Sequence, residues 1–281
     1  MYGTIYVIFK RCVSLISAIM LLIVAADEKD MPLPDGADII AKQRYVLEDQ
    51  YMSNQGVTND GTYFYFSGTK NLGKAKMEDG EIFLINTSPI PEAIKELGCD
   101  HIGGLSYYNG TVYAAVEDGP DYQHPFIVLY DAETLKFTGK YYELPQELHT
   151  AGVPWCAIDA EKKVFYTAEW ENATVLNVFS LDTFELVDSI ELSEPVDRIQ
   201  GAELFDGKLY MSCDEENDMK RVFTADIETG KVEVAFIRNV GKEIEAEGLT
   251  VYADGNGQPV ICVLDRGARR KSTNLTQYKV N

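Results

Sequence analysis

Gln55-Gly56-Val57-Thr58, Gly103-Gly104-Leu105-Ser106, Val153-Pro154-Trp155-Cys156, Gln200-Gly201-Ala202-Glu203 and Glu247-Gly248-Leu249-Thr250 open five copies of one unit. Their second residues stand at 56, 104, 154, 201 and 248, so the unit advances by 48, 50, 47 and 47. A turn follows each opening: Asn59-Asp60-Gly61, Asn109-Gly110, Ala160-Glu161-Lys162-Lys163, Asp206-Gly207 and Asp254-Gly255. Asn-Gly and Asp-Gly suit tight hairpins because both residues tolerate positive φ. Apolar second strands come next, at 63–66, 112–116, 164–168, 209–213 and 260–264. Third strands run into Asp131-Ala132-Glu133-Thr134, Ser180-Leu181-Asp182-Thr183 and Asp226-Ile227-Glu228-Thr229. Fourth strands are expected at 141–144, 187–192 and 232–237; in the first unit, 93–97 reads as a strand or as one helical turn.

Four short antiparallel strands at this period are the blades of a β-propeller. The fifth unit stops after three strands, and residues 44–52 read as one lone strand ahead of the first unit. Together they make a fifth blade. The expected fold is therefore an all-β, five-bladed β-propeller over 44–281, its last blade closed by the N-terminal strand. Closure removes the free edges that invite aggregation.

Outside the repeat, Lys10 and Arg11 precede an uncharged run over 12–26 that ends Val24-Ala25-Ala26. That reads as a secretory signal peptide over 1–26, with an uncleaved anchor as the alternative. Residues 27–43 would then be an N-terminal extension of a secreted protein without a stable membrane span. Export would leave Cys99, Cys156, Cys213 and Cys262, none in zinc-type spacing. Buried free thiols compete with disulfides, and at most one disulfide is expected, because three of these cysteines fall inside strands of different blades. Sequons at Asn86, Asn109, Asn172 and Asn274 would carry glycans in a eukaryotic host.

Composition narrows the partners. The 281 residues hold 25 basic and 45 acidic side chains, a net charge of −20, which disfavours nucleic acid and favours cationic ligands. A 46% hydrophobic fraction supplies a core and argues against disorder. A monomer is expected, with a small molecule or an extracellular partner at the channel mouth.

Antiparallel strands place first-strand starts and second-strand ends on one face. Glu117, Glu169, Asp214 and Asp265 end second strands at one aligned position, and with Glu247 they could hold Ca²⁺, which takes six to eight oxygens. His101, His149, Arg198 and Gln200 enter from the same side and are the catalytic candidates: base, acid and anion clamp. The competing reading is that acids commonly sit where strands give way to loops, and that the histidines are solvated. Trp170 could stack on a ligand or simply pack. Arg266, Arg269, Arg270 and Lys271 form a basic cluster, read as a solvated loop or as an anion contact.

The Gln55-Gly56-Val57 opening, the Asn59-Asp60-Gly61 turn and Ser67-Gly68 resemble the first blade of plant-type and bacterial glutaminyl cyclotransferases. That family carries a catalytic Glu before the entrance glycine of its second blade, where this chain has Gly103. Glu245-Ala246-Glu247-Gly248-Leu249 is similar to the opening in phytase-like, SdiA-regulated and gluconolactonase-like propellers. In those, such a Glu can bind a central Ca²⁺. The resemblances imply a secreted five-bladed propeller over residues 50–280. Two functions are then expected to compete. One is a Ca²⁺-assisted hydrolase of lactonase, phosphoesterase or nucleotidase type; the other is a non-catalytic extracellular binding propeller.

Overall fold

Asn109 and Gly110 both adopt positive φ, 46° and 78°, as do Asp206 and Gly207, at 48° and 73°. These two-residue turns have the right-handed twist that lets flanking strands pair directly. At the next corner, Asp131 Oδ1 accepts from the Thr134 amide and hydroxyl at 2.8 and 2.7 Å. Asp226 does the same for Thr229, at 2.8 Å in both bonds. The repeated turn signatures are thus repeated hydrogen-bonded corners.

The computed structural model describes residues 33–45, 54–267 and 273–280. Among the described residues the first strand is β1(Ala37–Tyr45), which belongs to the last blade. Blade 1 is β2(Gly56–Asn59), β3(Tyr63–Gly68), β4(Asn71–Lys76) and β5(Ile82–Asn86), followed by the short helix α1(Glu92–Lys95). Blade 2 is β6(His101–Tyr108), β7(Thr111–Glu117), β8(Phe126–Asp131) and β9(Phe137–Glu143). Blade 3 is β10(Ala157–Asp159), β11(Val164–Thr167), β12(Ala173–Ser180) and β13(Leu186–Val196). Blade 4 is β14(Ile199–Phe205), β15(Lys208–Asp214), β16(Lys220–Asp226) and β17(Val232–Ile237). Blade 5 is β18(Glu245–Ala253), β19(Pro259–Arg266) and β20(Thr273–Val280), completed by β1 on β20. The chain is a five-bladed β-propeller.

Two boundaries differ from expectation. The closing strand lies at Ala37–Tyr45 rather than 44–52: Tyr45 pairs with Thr273 and Ala37 with Val280. The propeller therefore begins within the stretch expected to be an extension. The reason is pairing: residues 37–45 match the eight residues of β20 along their whole length. Just before them Asp35 exchanges both backbone hydrogen bonds with Ile237 at 2.9 Å, which fixes where the strand starts. The rest of the expected strand, 46–52, lies outside the described residues. In blade 1 the fourth strand is β5, and 93–97 takes the helical alternative, with Ile94 fully buried. The proposed signal segment lies outside the described residues. Among those described, no helix is long and apolar enough to cross a membrane.

Strand alternation distributes the core. On β7, Val112, Ala114 and Val116 face the blade 1 seam, while Ala115 faces the blade 3 seam. Both faces are buried, so the strand is almost wholly apolar. Five apolar clusters result, one per seam, and the fifth joins Val260 and Leu264 of blade 5 to Val57 and Phe64 of blade 1. Cys99, Cys156, Cys213 and Cys262 are all buried free thiols.

Candidate functional site

The five openings meet on the axis. A Cβ on Gly248 would lie 2.7 Å from Gly56 Cα, one on Gly201 2.7 Å from Gly248 Cα, and one on Gly56 2.8 Å from Gly104 Cα. Only glycine permits that approach. Two amides also bond across blades: Gly104 N–H to the Pro154 carbonyl and Gly248 N–H to the Gln55 carbonyl, each at 2.7 Å. This collar gives every other axial residue its address.

Residues just before the collar line a cavity of about 390 Å³ at one mouth. Of the nine candidates from the sequence, His101, Glu117, Gln200 and Glu247 line it, together with Gln55, Tyr122, Trp170, Glu245 and Arg266. His101 and Glu117 are cross-strand partners, as are Glu245 and Arg266. Both His101 and Glu245 stand three residues before a collar glycine, so the two pairs are equivalent in blades 2 and 5. One holds an imidazole against a carboxylate, the other a carboxylate against a guanidinium.

Hydrogen bonds join the pairs. Glu117 Oε2 accepts from the Val153 amide at 2.7 Å, and its Oε1 lies 3.1 Å from His101 Nδ1. His101 Nε2 lies 2.6 Å from Gln55 Oε1, and Gln55 Nε2 donates to Glu247 Oε1 at 3.2 Å. Arg266 Nη1 donates to Glu245 Oε2 at 2.9 Å and stands 3.8 Å from Glu247 Oε1. Burial first, then the negative charges of Glu245, Asp214 and Asp265, pushes the Glu247 carboxyl well above the usual range; Arg266 opposes the shift.

The remaining candidates are spent elsewhere. His149 is fully buried, with Nδ1 on the Pro145 carbonyl at 2.9 Å and Nε2 on the Thr167 hydroxyl at 2.8 Å. Desolvation lowers its pKa, as expected of a core histidine. Arg198 lies 5.1 Å from the Trp170 ring centroid, a cation–π contact behind the wall. Glu169 caps the Thr150 amide and hydroxyl. Asp214 pairs with Lys220, its strand neighbour, and burial raises its pKa despite that partner. Asp265 is buried against the fully buried Arg238 at 2.6 Å.

The expected ring of carboxylates is not what the backbone register makes. Glu117 of blade 2, Asp214 of blade 4 and Arg266 of blade 5 each pair with the residue three before a collar glycine, or stand one beyond its neighbour's pair. Asp265 is one position short of them. The turn of blade 5 is longer, with Asp254 and Gln258 bonded across it at 2.8 Å, so counting from the turn misplaces the residues of the next strand. Among the described residues no three His, Cys, Asp or Glu side chains converge as metal ligands. Each aligned carboxylate turns to its own donor, and the set does not fit the oxygen cage of Ca²⁺.

Gln55 and Glu245 stand at first-strand entrances that the repeat marks, one and three residues before a collar glycine, and Arg266, expected in a loop of the same mouth, ends β19 opposite Glu245. Tyr122, on the loop after β7, carries no such signal. Beyond the collar, Glu203 Oε2 accepts from the Thr58 and Thr250 hydroxyls at 3.1 and 3.2 Å, and the Ser106 hydroxyl also reaches the carboxyl. Its partners come from blades 1, 5 and 2, which places this acid on the axis.

No protein-family model and no curated protein matches the chain. Solved structures similar to it include hydrazine synthase from Kuenenia stuttgartiensis, at 15% identity and TM-score 0.45, covering 76% of this chain and 55% of that one. Apo AztD from Citrobacter koseri is similar at 18% identity and TM-score 0.38, covering 64% and 46%. The chain spans about half the length of each of these.

Proposed function

We propose that the cup at the mouth is a small-molecule site that hydrolyses an ester or lactone bond, with His101 moving the protons. The observation that carries this reading is the His101–Glu117 pair at the cavity wall, 3.1 Å apart. Glu117 is itself fixed by the Val153 amide, so it orients the ring through Nδ1 and leaves Nε2 as the nitrogen that meets a reactant. An incoming molecule would take the place of Gln55 at Nε2. With Gln55 displaced, the ring proton stays on Nδ1, held by Glu117. The free Nε2 takes the proton of the attacking water as its oxygen bonds to the carbonyl carbon, and returns that proton to the leaving oxygen as the C–O bond breaks. Arg266, beside Glu245 and Glu247, supplies the positive charge nearest a developing oxyanion. No step is routed through a cation.

The test is turnover of an ester and lactone panel by the wild type, His101→Asn and Glu117→Gln. Loss of about 10²-fold or more in kcat for His101→Asn, with the fold intact by circular dichroism, is the expected result. One observation favours a second reading. Both ring nitrogens of His101 are already engaged, by Glu117 and Gln55, as in a wall built to hold shape. On that reading the cup binds and does not cleave, and no member of the panel turns over. Export would place either activity outside the cell.

A further inference from the structure

The cup is unbalanced in charge. Glu117 spends one oxygen on an amide and turns the other to His101. Glu245 and Glu247 share one guanidinium, that of Arg266, which bonds Glu245 directly and stands farther from Glu247. Two carboxylates against one cation leave a net negative charge inside a confined space. Glu247 bears the larger share of the cost, since its side chain is only 4% exposed while that of Glu245 is 45% exposed.

Oxygen by oxygen, the deficit has an address. Glu247 Oε1 receives the Gln55 amide. Among the described residues its Oε2 accepts no hydrogen bond, and neither does Glu245 Oε1, yet both residues line the cavity. Of the two only Glu247 is buried; Glu245 Oε1, at the rim, is open to solvent. A buried carboxylate normally fills its acceptor sites, because an anion that has lost water needs donors or a cation. Arg266 does not fill the gap, since its buried Nε finds no acceptor, so what Glu247 lacks is a further donor, best a positive one. Opposite these acids the wall is apolar and aromatic, with Trp170, Tyr122, Pro120 and Pro154 around the same space. About 390 Å³ accommodates a small organic molecule and excludes a folded partner.

We propose that the cup binds a small primary amine, its ammonium on Glu247 Oε2 and Glu245 Oε1 and its apolar body against Trp170 and Tyr122. The inference rests on the reading of the cup as the working site and names the class of ligand it takes. A primary ammonium offers three N–H donors to two open acceptors. A quaternary ammonium offers charge without donors, and a carboxylate meets like charge. Burial and neighbouring acids already strain Glu247 toward its neutral form, so a bound ammonium restores the charge that the protein leaves uncompensated.

The experiment uses the full chain and phenethylamine as the probe, against phenethyl alcohol, phenylacetate and phenethyltrimethylammonium. Trp170 lines the cup while Trp155 is fully buried, so intrinsic fluorescence reports on the site, with calorimetry as the second readout. Phenethylamine should bind saturably, the three comparison compounds about tenfold or more weaker, and Glu247→Gln should weaken the amine by a similar factor. Should Glu247→Gln fail to fold, Glu245→Gln, at the exposed rim, carries the same expectation. Equal binding of phenylacetate, no binding of any compound, stabilisation by Ca²⁺ matching that by the amine, or unchanged affinity in the variants would each overturn the ligand class. Ester turnover without amine preference would sink this inference and leave the acid–base reading standing. Amine binding without any turnover does the reverse.

Discussion

Glu203 occupies the axis with hydroxyl groups around it and no basic side chain among the causes of its shift. Burial raises its carboxyl from the ordinary 4.5 to about 8, with Thr58, Thr250 and Ser106 opposing through their hydrogen bonds. Proton counts set the sign of the linkage. Between these two values the folded chain keeps a proton that the unfolded chain has released, so stability falls as pH rises. The contribution is fully present below 4.5 and is gone above about 8. Chemical denaturation of the wild type and Glu203→Gln across that window should show a downward slope that the variant lacks. Parallel curves would mean that the axial carboxyl is solvated after all. Asp265 teaches the neighbouring lesson. In the sequence it looks like one more mouth carboxylate, but its worth lies in neutralising Arg238, a guanidinium sealed inside the protein.

At the level of strands, the collar and the closing strand set the limits of the blades. The glycines of the collar are visible in the sequence as a repeat, and so are the hairpin turns, because both depend on local backbone freedom. Register is harder to read. The ladder of blade 2 skips a residue between Ile102 and Leu105, and that of blade 5 between Ala246 and Leu249. Such bulges re-aim side chains without leaving a mark in composition. Both blades share that bulge, and it is the longer hairpin of blade 5 that puts Arg266 where blade 2 has Glu117, leaving Asp265 one position short of the cup. His149 looks like a second His101 in the sequence, but its buried contacts with Pro145 and Thr167 come from tertiary packing that spacing cannot show. The closing strand is legible as a missing partner, and its position is fixed by long-range pairing with β20 and by the Asp35–Ile237 bridge, which local pattern does not show. Removal of residues 1–45 should strip β20 of its partner and broaden the unfolding transition, read by calorimetry as a van't Hoff enthalpy below the calorimetric one. A truncated chain that melts as sharply as the intact protein, at the same temperature, would show that β1 is decoration.

For the molecule as a whole, five seams of equal kind act in a closed ring, and a net charge of −20 acts against it. Like charges spread over a compact body favour expansion. Screening should therefore stabilise the fold. From about 0.01 to 0.15 M NaCl the Debye length falls from about 30 to 8 Å, and Tm should rise by a few degrees over that range. A Tm indifferent to salt would mean that local pairs such as Lys220–Asp214 already absorb the repulsion.

The pairing of Ala37 with Val280 also sets an order of events on the ribosome. Of the described strands β1 is the first to leave the exit tunnel and the last to find its neighbour, because that neighbour, β20, is the last of them to be made. Four blades can form as they emerge, while the edge of β1 waits exposed until β20 follows. During that interval it is a bare template for any other extended segment nearby. A nascent chain of this protein is thus most vulnerable to chaperone capture or mispairing until β20 has been made, and release of Thr273–Val280 from the tunnel is the moment at which the ring can close.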